Sequence, residues 1–85
     1  MKQFTYRIKI PQGIHVLPAS FLAEKAGKYE SFITLSKNEE EVNLANAVKL
    51  IRLAVKYYDS VIITIDGPDE NVAYEDLIHY FNEKL

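Results

Sequence analysis

From Phe4 to Ile10 every second residue is apolar, with Phe4, Tyr6, Ile8 and Ile10 alternating with Thr5, Arg7 and Lys9. A period of two is the pattern of a strand with one buried face, so a first strand is expected here. Pro11-Gln12-Gly13 breaks it. From about Val16 to Lys28 the period lengthens: Ala19, Leu22, Ala23, Ala26 and Tyr29 recur at helical spacing, and Gly27 lies near the expected C-terminus.

Phe32 to Ser36 and Glu41 to Leu44 flank the polar Lys37-Asn38-Glu39-Glu40, which reads as a hairpin without the favoured Asn-Gly pair. Asn46 can cap a short helix whose Ala47, Leu50, Ile51 and Ala54 face the core, with Val48, Lys49 and Arg52 on other sides. Val61 to Ile65 is a nearly continuous β-branched run that suits a central strand, ended by Asp66-Gly67-Pro68. A last helix starts near Asp69 or Glu70, with Ala73, Leu77 and Phe81 on one face, joined by Tyr74, Ile78 and Leu85. The order βαββαβα predicts an α+β fold, a four-stranded antiparallel sheet with three helices on one face.

At 85 residues, 48% of them hydrophobic, the chain is expected to form a single domain spanning 1–85, with function on its surface. There is no cysteine and only His15 and His79 as imidazoles, so neither a metal nor another cofactor is expected. The first ten residues lack the apolar core of a signal peptide, and no run reaches the ~18 residues of a membrane span, which predicts a cytoplasmic protein without membrane insertion. A net charge of -2 argues against general nucleic-acid binding. The charges are nonetheless uneven. Residues 1–28 carry Lys2, Arg7, Lys9, Lys25 and Lys28 against Glu24, and Lys49, Arg52 and Lys56 meet no acid before Asp59.

The candidate chemistry lies in Gly13-Ile14-His15-Val16-Leu17-Pro18-Ala19-Ser20, which sets a histidine at the opening of the first helix. The first amides of a helix lack intrahelical partners, and the macrodipole adds roughly half a positive charge there. An anion held at that end gains hydrogen bonds and charge complementarity together. Histidine, with an unperturbed pKa near ~6.5, is largely neutral and nucleophilic at pH 7. His15 is therefore positioned to accept a phosphoryl group, with the backbone amides of Val16 and Leu17 binding its oxygens. Pro18 suits a first helical turn. The competing reading is a histidine that merely sits in a turn or caps a helix. Ser20 has no base partner in the sequence, His79 reads as a surface residue, and Tyr57, Tyr58, Tyr74 and Tyr80 read as cover for hydrophobic surface.

Gly13-Ile14-His15, Pro18-Ala19, Val42-Asn43-Leu44, Ile63-Thr64-Ile65 and Gly67 followed by Asp69-Glu70 stand in an order and spacing that resembles the HPr family over essentially the whole chain. These are the histidine-containing phosphocarriers of the bacterial sugar phosphotransferase system. The resemblance implies an open-faced β-sandwich, with His15 taking a phosphoryl group from the phosphoenolpyruvate-dependent enzyme I and passing it to a sugar-permease component. It further implies a partner-binding surface of Leu17, Ala47, Val48, Lys49, Ile51 and Arg52, and a monomer. Two positions depart from the family pattern. Leu17 replaces an arginine, and a charged hydrogen bond to phosphate is worth roughly 1.5–3 kcal/mol. Its loss corresponds to about tenfold to a hundredfold in phosphate stabilisation or docking. Asn46 replaces the regulatory serine of Gram-positive members; it still caps a helix but cannot be phosphorylated.

Three functions compete. The carrier is supported by the retained histidine in its full local setting. A regulatory or protein-binding module that does not turn over phosphate is supported by Leu17 and Asn46 together. A stand-alone enzyme has little support, because one histidine without a paired acid, metal ligands or a nucleotide loop is no active site.

Overall fold

A computed structural model describes residues 1–85. Its first strand, β1 (Lys2–Arg7), alternates between half-buried and exposed residues as the period of two requires. It stops at Arg7 rather than Ile10. The amide of Ile8 turns to the carbonyl of Asp59 (2.9 Å), and those of Lys9 and Ile10 turn to the backbone oxygen of Leu85 (2.6 and 3.2 Å). Ile8 is still fully buried, so the apolar pattern outlasts the ladder. Periodicity reports which face is covered; backbone partners decide where a strand ends.

The hairpin of β2 (Phe32–Lys37) and β3 (Glu40–Asn43) closes through two residues rather than the expected four. Asn38 and Glu39 both adopt positive φ, 51° and 69°, the backbone of a type I′ turn built without glycine. β4 (Ser60–Asp66) is central, and the sheet runs β1-β4-β2-β3 with every neighbour antiparallel. Phe4 of β1 and Leu35 of β2 stand opposite Ile63 from its two sides. Although its β-branched run is continuous, only one face of β4 is covered: Val61, Ile63 and Ile65 are buried, while Ile62 is 39% exposed. β propensity, not two-sided burial, accounts for the outward members of the run.

Three helices cover the inner face: α1 (Val16–Ala26), α2 (Ala47–Arg52) and α3 (Glu70–Lys84). α1 buries Ala19, Leu22, Ala23 and Ala26 and ends two residues before Lys28, with Gly27 in a right-handed conformation (φ -68°). α3 buries Ala73, Leu77 and Phe81. The ring of Phe81 meets those of Phe4 and Tyr6 edge-on, at 5.6 and 5.4 Å between centroids, which joins α3 to β1. In α2 only Leu50 is fully inside; Ala47 and Ile51 are half-buried. Ala54, expected to face the core, is instead exposed at φ 57°, because the helix has already ended and helical spacing no longer applies. Leu53 and Val55 occupy the interior in its place. No helix is long and apolar enough to cross a membrane.

Candidate functional site

The loop before α1 is clamped to the segment after α2. Gly13 has φ 68°, and a methyl group on it would strike the carbonyl oxygen of Val55 and lie 2.7 Å from Cα of Lys56. Only glycine satisfies both the left-handed backbone and the close approach. The amide of Ile14 bonds the carbonyl of Val55 (2.9 Å), and its side chain is buried. The chain beneath Gly13 is itself tied down. Asp59 accepts from the amide of Lys56 (2.8 Å) and pairs with the ammonium of Lys37 (3.0 Å), and Lys37 also donates to the carbonyl of Ala54 (2.8 Å). The Lys56 hydrogen bond first, then Lys37, holds the Asp59 carboxyl below its ordinary pKa.

His15 is thereby delivered, exposed, to the N-cap of α1 in an extended conformation (φ -95°, ψ -160°). Its imidazole does not cap the helix. Its carbonyl accepts from the amide of Ala19 (2.9 Å), and Pro18 has no N–H. That leaves the amides of Val16 and Leu17, neither of which donates within the protein. The two expected phosphate-binding amides are thus the free donors of this helix end, next to the imidazole, and no acid stands in the first turn. Ser20 is out of contention as a nucleophile: its hydroxyl donates to the carbonyl of Val16 (2.8 Å).

α2 packs against α1, so the expected partner-binding residues lie on neighbouring helices. Leu17 is 61% exposed and Val48 59%, so neither is a core residue. Ile51 and Ala47 are half-buried and contribute only part of their surface. Lys49 and Arg52 are exposed in the last turn of α2, where Asn46 caps the other end by accepting from the amide of Lys49 (3.1 Å). His79 lies on α3, where it pairs with Glu83 (2.9 Å).

An open groove of about 310 Å³ also borders His15, lined by Leu17, Pro18 and Phe21 of α1 and by Tyr80, Lys84 and Leu85. The sequence reading missed this side of the site. Phe21 carried a signal, since it falls off the buried stripe of α1 and is 60% exposed. Lys84 carried none, because only the antiparallel closure of the fold brings the end of α3 to the start of α1.

The chain matches the family described as PTS HPr component phosphorylation site over residues 2–83. It is 39% identical over 74 residues to the phosphocarrier protein HPr of Mycoplasma genitalium, covering 86% of this chain and 84% of that protein. The crystal structure of HPr from Thermoanaerobacter tengcongensis superposes with a TM-score of 0.93 at 30% identity, covering 99% of this chain and 94% of that one. The catabolite repression containing protein Crh of Bacillus subtilis, solved as a swapped-domain dimer, superposes with a TM-score of 0.77 at 28% identity, covering 100% and 98%. With the sheet order, the clamped glycine turn and the histidine at the helix end all in place, this chain belongs to the HPr family of the phosphotransferase system.

Proposed function

We propose that the chain is a phosphocarrier whose acceptor is His15. The observation that carries this reading is an exposed imidazole at the N-cap of α1 beside two amides that donate to nothing in the protein. In the transfer, the lone pair of His15 Nδ1 forms an N–P bond as the donor's bond to the same phosphorus breaks, and the electron pair leaves with the donor. The amides of Val16 and Leu17 then hold the phosphoryl oxygens at the positive end of the helix dipole. The carrier supplies position and electrostatics; its partners supply the remaining catalysis.

The donor is enzyme I and the onward acceptor a sugar-permease component, with docking over Leu17, Ala47, Val48, Lys49, Ile51 and Arg52. Apolar side chains ringed by basic ones make a suitable protein interface. The carrier acts as a cytoplasmic monomer folded as a single domain. Leu17 supplies no guanidinium, so phosphate stabilisation rests on the two amides.

Incubation with enzyme I and phosphoenolpyruvate tests the proposal. An acid-labile adduct is expected on the parent chain and none on His15→Ala, with Leu17→Arg forming it about tenfold to a hundredfold faster. An adduct that appears only in Leu17→Arg would replace the carrier reading with that of a binding module.

A further inference from the structure

The groove at His15 does not end there. A second open groove of about 430 Å³ continues it between α1 and α3, sharing Phe21, Tyr80 and Lys84 and adding Glu24, Lys25 and Lys28. On α1 the residues Leu17, Phe21 and Lys25 repeat at a spacing of four, which puts them on one stripe, and Lys28 follows in the turn just past the helix. Tyr80 and Lys84, four apart, face it from α3. The helical part of the stripe, Leu17 to Lys25, is about 12 Å long at about 1.5 Å per residue, roughly two turns of helix.

Its two ends differ in character. Beside His15 it offers the exposed side chains of Leu17 and Phe21 with the half-buried ring of Tyr80. Away from it are Lys25 and Lys28, while Lys84 lines both grooves; none of the three pairs with an acid of the protein, and Glu24 is the only acidic side chain in the lining. The Lys25 ammonium lies 5.6 Å from the centroid of the Tyr80 ring, which keeps its charge over the groove. Excess positive charge beside apolar anchors in a channel between two helices fits one kind of occupant, an acidic amphipathic helix.

We propose that the α1–α3 groove docks an acidic amphipathic helix of a target protein, and that it does so preferentially while His15 is unphosphorylated. The second half rests on the carrier reading. A phosphoryl group on His15 brings one to two negative charges to the groove's apolar end, where they repel an acidic helix. Docking in turn covers the imidazole, so the carrier's loading state is reported to whatever protein bears the helix.

The probe is a synthetic 15-residue helical peptide with Leu and Phe four apart on one face and Glu along its flanks, titrated into the ¹⁵N-labelled chain. Amide shifts are expected in residues 17–28 and 80–84. The triple variant Lys25→Gln, Lys28→Gln, Lys84→Gln should bind about tenfold more weakly at low salt, while Lys49→Gln, Arg52→Gln binds as the parent does. Both variants alter exposed residues apart from the half-buried Lys25, and dispersed spectra check that they are folded. Shifts centred on residues 47–52, or equal affinity of the triple variant, overturn the groove. Binding to the phosphorylated chain should weaken several-fold, and unchanged affinity with the adduct present overturns the preference. A chain that forms no adduct at all sinks the carrier reading and the preference together, and the groove is then decided by the lysine variants alone.

Discussion

A methyl group at Gly13 would have to displace backbone at Val55 and Lys56, and no side-chain rearrangement relieves such a contact. Gly13→Ala should therefore cost about 1–3 kcal/mol, combining the left-handed backbone with the clash. The measurement is the urea midpoint, and the rate of adduct formation on His15 should fall with it, because the same loop aims the imidazole. Asn46 makes a different prediction. Its side chain accepts from the amide of Lys49, so Asn46→Ala should lose about 1 kcal/mol, whereas Asn46→Ser, another good cap, should stay near the parent in the same assay. Both residues were legible in the sequence, Gly13 as a break before a helix and Asn46 as a cap. The geometry that makes Gly13 irreplaceable was not, because Val55 is forty-two residues away and reaches it only through the folded chain.

The elements themselves were legible wherever one face is buried and the other wet. β1, α1 and α3 show this, their apolar positions recurring with the period of the structure they form. Their ends were less so. Helical spacing carried past the end of α2 put Ala54 inside, where the chain had turned left-handed and Leu53 and Val55 were buried instead. The start of α3 shows how an end is fixed by long-range partners. Asp69 accepts from the hydroxyl and amide of Ser31 and from the amide of Glu30, which ties α3 to the beginning of β2. The Ser31 hydroxyl first, with the Glu30 amide, lowers the pKa of Asp69. A carboxylate with a folded pKa below its unfolded one stabilises the fold above the unfolded value, ~3.9, and loses that contribution as pH falls through the folded value. Asp59, lowered likewise, adds in the same sense. The urea midpoint should thus drop as the pH is taken from 5 to 2, and Asp69→Asn should show a lower midpoint at pH 5 and a shallower drop.

At the scale of the whole molecule, stability rests on a core shared by all three helices and one face of the sheet. Phe81 is fully buried and touches the rings of Phe4 and Tyr6. Phe81→Ala should cost about 3–5 kcal/mol, a large part of the ~5–15 kcal/mol that holds a domain of this kind together. Thermal denaturation would register it as a fall in Tm of well over ten degrees. The functional end of the molecule was half legible. The histidine at a helix start could be read from local pattern and the α2 side only through the family resemblance, whereas the α3 side exists only because the last helix runs back to the start of the first. The sheet's uncovered face has a further consequence. Ile62 is exposed and the side chain of its outward neighbour Thr64 bonds only across the sheet's surface, to Gln3, so a lineage can exchange them more freely than Val61, Ile63 and Ile65, which stay in step with the helices. A fold with one wet face separates the positions that keep it standing from those on which new recognition can be tried, and it can drift far in sequence without losing its shape.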